Sequence, residues 1–235
     1  DFHRYGYREA YARVGQLAHA LRALGVENGD RVATLAWNGY RHFELYYAIS
    51  GMGAVCHTIN PRLSVEQLTY ITHHANDRVL FLDVTFVPLI TAVKDQLPKD
   101  MIYVVMTDAD HMPDGSEGML CYEDLLAPHT KAFDWPELPE ETAAGLCYTS
   151  GTTGNPKGAL YSHRSTVLHA YSTGISLGSN VNENARVLPV VPLFHVNAWG
   201  LPYTAPLTGA SLIFPGPALD GASLYDLMDR EAVTS

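Results

Sequence analysis

Two hydrophobic periods take turns over the first hundred residues. From Tyr7 to Leu24, the residues Tyr7, Tyr11, Val14, Ala18 and Leu21 recur at steps of four and three. That spacing is one face of a helix, and Gly25 supplies its stop. A buried-strand run, Val32–Ala36, comes next, then a helical stretch over Tyr40–Met52 and a short strand around Ala54–Thr58. Ser64 with Gln67 three residues on reads as a capping box opening a helix to about Ala75. Val79–Leu82 reads as a strand, Phe86–Gln96 as a helix and Ile102–Val105 as a strand. Strands alternating with helices of this length predict an α/β fold, with parallel sheets flanked by helices on both faces.

At about 150 residues per domain, 235 residues make one large domain or two small ones. Apolar residues at 47% and charged ones at 17% exclude an intrinsically disordered chain. A formal charge of −10 opposes non-specific binding to nucleic acid or anionic lipid, although a local phosphate site is compatible with it. Cys56, Cys121 and Cys147 lie far apart, without a CxxC pair, which argues against a disulfide framework and a zinc site. With no apolar run of about 18 residues and no signal peptide in the pattern, we expect a cytoplasmic protein with no integral membrane segment. The chain opens on Asp1 and stops at Ser235, just after a helical segment, so we expect both ends to be cut.

Met112-Pro113-Asp114-Gly115 is turn chemistry, and Pro128, Pro136 and Pro139 punctuate a connector. We therefore divide the chain into a first α/β subdomain (1–126), a connector (127–142) and the start of a second α/β subdomain (143–235). The second part reads as a strand at Ala144–Tyr148, a Gly/Thr/Ser loop and a short strand at Ala159–Tyr161. A helix from about Arg164 to Ile175 follows, then strands at Val187–Val191 and Leu212–Phe214, and a helix over Leu224–Arg230.

The chemistry concentrates in Tyr148-Thr149-Ser150-Gly151-Thr152-Thr153-Gly154-Asn155-Pro156-Lys157-Gly158. Four aliphatic hydroxyls, three glycines and a lysine sit in eleven residues after a predicted strand. Glycines let backbone N–H groups converge on an anion, hydroxyls donate to phosphate oxygens, and a lysine adds a point charge. The spacing is not that of the G-x-x-x-x-G-K-[ST] phosphate loop, because Lys157 is followed by Gly158. Since Gly158–Tyr161 reads as a strand, a helix dipole is not expected to be the main anion-binding device.

This string resembles the signature of the acyl-adenylate-forming superfamily, which includes acyl-CoA synthetases, luciferases and peptide-synthetase adenylation domains. A second string, Pro192-Leu193-Phe194-His195-Val196-Asn197-Ala198-Trp199-Gly200, resembles the acyl-pocket motif of bacterial medium- and long-chain fatty-acyl-CoA synthetases. Further similarity lies in Glu44–Ala48, Gly51–Val55, Thr58–Leu63 and Pro215-Gly216-Pro217. The resemblance implies the N-terminal portion of the adenylate-forming fold, cut short, and a parent enzyme that is an ATP-dependent, AMP-forming fatty-acid–CoA ligase. Its substrates would be a fatty acid, ATP and CoA, with Mg²⁺ as cofactor and no nucleic-acid partner. Homodimerisation is carried over as a further expectation.

By the same match, Thr149, Ser150, Gly151, Thr152, Thr153, Gly154 and Lys157 would embrace the β- and γ-phosphates, with Thr149 shared weakly with the metal. His195 falls where the family places a residue beside the acyl carboxylate and the adenylate phosphate, and Val196, Asn197, Trp199 and Gly200 line the acyl side. Lys157 and His195 are the catalytic candidates. Trp199 is open to two readings, a gating indole or a core aromatic, and Gly200 to two others, room for the acyl chain or helix packing.

His73-His74 cannot both face one metal from a helix, and His163 and His169 are poorly spaced as ligands. The cluster Tyr5, Tyr7 and Tyr11 reads as core or interface, and Arg62 has no assigned role. The resemblance places the adenine, ribose and magnesium-segment contacts, the hinge and a C-terminal lysine beyond these residues. Rival readings are an adenylation domain for another carboxylic or amino acid, a phosphate-loop NTPase, and an inert fragment that only folds or oligomerises.

Overall fold

A computed structural model describes residues 3–149, 155–176 and 180–235. In chain order the elements are α1 (Tyr7–Ala23), β1 (Arg31–Leu35), α2 (Tyr40–Gly51), β2 (Val55–Thr58), α3 (Val65–Ala75), β3 (Asp77–Leu82), α4 (Val87–Val93), β4 (Ile102–Val105), β5 (Leu120–Cys121) and α5 (Tyr122–Leu126). They continue with β6 (Ala143–Thr149), β7 (Lys157–Ser162), α6 (His163–Ser176), β8 (Arg186–Val187), α7 (Leu201–Thr208), β9 (Ser211–Leu212) and α8 (Gly221–Arg230).

Seven strands form one sheet in the order β5-β4-β3-β1-β2-β6-β7, parallel throughout except for the antiparallel β6–β7 hairpin. The two hydrophobic periods account for its layers. Val79 and Phe81 of β3 pack with α1, α2 and α5 on one side, whereas Leu80 and Leu82 pack with α3 and α4 on the other. Fully buried side chains such as Leu17, Leu21, Ile49 and Ile71 each contribute about 1.5–3 kcal/mol of transfer free energy. Ser64 and Gln67 close the expected capping box, and Asn76 ends α3 in the left-handed region at φ +54°.

One charge is sunk into the α1–α2 layer. The fully buried Glu44 carboxylate accepts from Arg13 Nε at 2.7 Å, Tyr122 at 2.7 Å and Tyr5 at 2.9 Å, tying the N-terminal segment and α5 to α2. Removing one partner of such a group costs about 3–5 kcal/mol.

The structure departs from the sequence reading in several places, among them the expected strand Leu212–Phe214, which is only the two-residue β9, Ser211–Leu212. The expected single helix Phe86–Gln96 is α4 flanked by 3₁₀ turns at Val84–Phe86 and Lys94–Gln96, because Pro88 fits only a first helical turn. The expected strand Val187–Val191 pairs only over β8, since Pro189 has no N–H and the Pro189 and Val191 carbonyls turn to Asn38 instead. Past residue 143 the chain continues the same sheet, with β6 pairing with β2, and among the described residues β8 and β9 form a separate, two-stranded sheet. The stretch 127–142 lies across α1, with the Arg22 guanidinium 4.1 Å from the Phe133 ring and Trp135 Nε1 donating to Tyr11 at 3.0 Å.

Candidate active site

The parallel strands β1, β2 and β6 end at one edge of the sheet, the edge where α/β folds place their ligands. Residues 189–200 run across this edge, and buried side chains hold them there. Asn38, just beyond β1, donates from Nδ2 to the carbonyls of Pro189 (2.7 Å) and Val191 (3.0 Å) and accepts from the Leu193 amide (2.7 Å). The Tyr46 hydroxyl is shared between the Leu193 carbonyl and Asn197 Oδ1. Cys147 of β6 donates to Asn197 Oδ1 at 3.4 Å, and Thr58 of β2 contacts the Phe194 carbonyl at 3.5 Å.

These anchors enforce a backbone that the residues would not choose. Val196, Asn197, Ala198 and Trp199 have φ of +48°, +50°, +46° and +54°, and Gly200 follows at +75°. Each non-glycine residue in that region costs roughly 1–2 kcal/mol, and the β-branched Val196 is the least suited. Left-handed winding over a whole turn directs side chains differently from a helix. Phe194 is buried 6.2 Å from Trp37, Asn197 is half-buried, and His195, Val196 and Trp199 are exposed. Trp199 is 66% exposed in this chain. A Cβ at Gly200 would fall 2.6 Å from Nδ1 of His169 on α6, so the glycine admits that ring.

The second string meets the first at this edge. Alternation along β6 puts Cys147 and Thr149 on one face, and Cys147 touches Asn197. Thr149 pairs directly with Lys157 across the hairpin, so both side chains project from the face that carries the left-handed turn. Thr149 Oγ1 rests 3.4 Å from the Lys157 carbonyl, and both residues are exposed. β7 begins at Lys157, in line with the expected strand after the loop. Ser150, Gly151, Thr152, Thr153 and Gly154 lie outside the described residues.

The donor set suits an anion. A lysine and a threonine face each other across the hairpin, and among the described residues no three His, Cys, Asp or Glu converge on a metal position. That combination fits a Mg²⁺ held chiefly by substrate phosphates better than an all-protein cage. Burial raises the thiols of Cys56 and Cys147, so neither is a nucleophilic thiolate at neutral pH. A cavity of about 830 Å³ lies elsewhere, between the N-terminal segment, α2 and α8, and shares only Asn38 with this edge. Sequence reasoning missed Asn38 and Tyr46. Asn38-Gly39 after a strand reads as an ordinary turn, and its partners are more than 150 residues away.

The AMP-binding enzyme family matches residues 1–235. A medium-chain-fatty-acid–CoA ligase of Ectopseudomonas oleovorans is 51% identical over 97% of this chain and 42% of its own length. A 3-methylmercaptopropionyl-CoA ligase of Ruegeria lacuscaerulensis is 49% identical over 98% of this chain and 43% of its own. Among solved structures, an anthranilate CoA ligase in complex with anthranoyl-AMP superposes with a TM-score of 0.81 at 28% identity, over 95% of this chain and 42% of that one. The chain thus spans about two fifths of the length of the relatives it matches. With the family match running the full chain and the same fold in its solved relatives, this is a member of the AMP-binding enzyme family.

Proposed function

We propose that the protein carrying this chain is an ATP-dependent, AMP-forming CoA ligase for a fatty acid, and that the edge bearing Thr149, Lys157 and the 193–200 turn is part of its adenylation site. The observation that carries this reading is the meeting of the two sequence strings at the carboxyl ends of β2 and β6, on one face of the sheet. In the first step a carboxylate oxygen attacks the α-phosphorus of ATP, the bond to the bridging oxygen breaks, and pyrophosphate leaves with the electron pair. In the second the sulfur of CoA attacks the acyl carbon and AMP departs.

Lys157 neutralises the charge that builds on the leaving pyrophosphate, and Thr149 donates a hydroxyl beside it. Because the transition state is loose, positioning and charge neutralisation do most of the work. His195, exposed at the start of the turn, orients the carboxylate, while Val196 and Trp199 offer apolar surface to the acyl chain. Thr149 would help to hold a Mg²⁺ ion, which would supply further charge neutralisation at the phosphates. Three free cysteines suit a reducing cytoplasm, and no helix among the described residues is long and apolar enough to cross a membrane.

Pyrophosphate exchange into ATP, measured on the complete gene product, tests the reading. Lys157→Ala is expected to slow exchange at least tenfold, and about 2–4 kcal/mol of lost transition-state stabilisation would correspond to more. Exchange at the wild-type rate would refute the assignment. A carboxylate series running from 3-methylmercaptopropionate to long-chain fatty acids, with amino acids included, identifies the acid, and sedimentation of the same protein tests for a homodimer.

A further inference from the structure

The other face of β6 carries a set of contacts that the proposed reaction does not use. Alternation sends Leu146 and Tyr148 toward α3, opposite to Thr149. The Tyr148 hydroxyl lies 2.6 Å from Nδ1 of His74 on α3, and Tyr70 stacks on that imidazole at 5.4 Å. Across the hairpin sits Gly158, where a Cβ would come within 3.4 Å of Tyr148 Cζ and 3.0 Å of Leu146, so the glycine leaves room for the ring. Beneath, the His57 ring is 5.1 Å from that of Tyr148. His57 is itself fixed: Nδ1 lies 2.9 and 2.8 Å from the two carboxylate oxygens of Asp77, and both side chains are fully buried. Its Nε2 has no hydrogen-bond partner among the described residues, so the ring serves as a packed floor under Tyr148.

The placement of Tyr148 gives these contacts a consequence. Pairing of β6 with β2 ends at Cys147, and beyond it Tyr148 and Thr149 pair only with β7, the last strand of the sheet. Tyr148 is therefore the final side-chain anchor before the loop, one residue from Thr149 and opposite the neighbour of Lys157. Burial, with the Asp77 carboxylate nearby, pushes its hydroxyl up to about 12, so the phenol keeps its proton and can donate to His74 Nδ1.

We propose that the Tyr148–His74 hydrogen bond, seated on the buried His57–Asp77 pair, is a positioning clamp that fixes the hairpin root from which Thr149 and Lys157 reach the pyrophosphate end of ATP. The proposal rests on the ligase reading above and names two positioning residues for it. Displacement of a positioned group by even about 1 Å can cost on the order of a hundredfold in rate. Tyr148→Phe and His74→Ala, singly and together in the complete gene product, are each expected to lower kcat for pyrophosphate exchange about fivefold or more. KM for the acid and the melting temperature should stay unchanged. The double variant should be no slower than either single one, because one bond is lost once. His74→Asn, whose amide falls where Nδ1 sits, should restore most of the rate.

Wild-type exchange in Tyr148→Phe, multiplicative losses in the double variant, or losses that track the melting temperature would overturn the clamp. Lys157→Ala, run alongside, separates the two ideas. If it is slow while Tyr148→Phe is not, only the clamp fails; if it too is at the wild-type rate, the pyrophosphate reading fails.

Discussion

Trp199 shows how a single side chain can be placed against the usual rules. A large indole in a globular chain is normally buried, because it removes more apolar surface from water than almost any other residue. Here it is 66% exposed on a left-handed backbone at φ +54°, so the fold bears both an exposure cost and a backbone cost at one position. Strained conformations of this kind persist where the surroundings over-determine them, and they concentrate at ligand sites. Under the ligase reading the indole is held out to meet an acyl chain. Trp199→Ala should accordingly shift the chain-length profile and raise KM for the acid several-fold, with KM for ATP unchanged. Stability should move by no more than about 0.5 kcal/mol, the range for surface substitutions. Thermal melting and a chain-length series decide the matter: an unchanged profile removes the acyl contact, and a loss of several kcal/mol would mean that the indole packs in solution after all.

At the scale of elements, the turn from Val196 to Gly200 depends on side chains that are remote in sequence. Asn38 saturates three backbone groups of residues 189–193, and Tyr46 and Cys147 hold Asn197. Asn38→Ala leaves two carbonyls and one amide without their partner, at about 1–3 kcal/mol for each unsatisfied group, so a total loss of at least about 3 kcal/mol in urea unfolding is expected. Hydrogen exchange at Leu193–Gly200 should accelerate before that of the sheet, and uniform exchange would show that the turn holds itself. The same turn marks where the sequence stops being legible. Helices α1, α2 and α3 and strands β1 to β4 follow from spacing, because one hydrophobic face per element is dictated locally. The left-handed turn does not, since Val, Ala and Trp have no local preference for positive φ and partners 50 or more residues away decide their conformation. For the site, the resemblance supplied Thr149, Lys157 and His195 from their motifs, but the Asn38 and Tyr46 anchors and the Tyr148–His74 contact exist only once the chain is folded.

The whole molecule presents two unlike halves of surface. The α1–α2 and α3–α4 layers are closed over the sheet, whereas β7 and α6 leave Leu160, Val167, Leu168, Tyr171 and Ile175 between 51% and 82% exposed. Ala170 is the only residue of α6 that is buried among those described. Exposed apolar residues on an edge strand and its following helix make this polypeptide, taken alone, prone to association. The chain also spans about two fifths of its relatives' length, and the residues that the ligase reading assigns in it, Thr149 and Lys157, address the pyrophosphate end of ATP. A pyrophosphate cradle alone cannot keep the α-phosphorus in line for carboxylate attack, and the gain from orientation is lost. Expressed by itself, this polypeptide is expected to self-associate and to release no AMP from fatty acid, ATP, Mg²⁺ and CoA. Replacing Leu168 and Ile175 by lysine should make it monomeric in sedimentation without changing its circular dichroism, because neither side chain is part of the packed core. Steady AMP release from the verified 235-residue chain would show that these residues already hold the α-phosphorus in line, and the prediction would have to be abandoned.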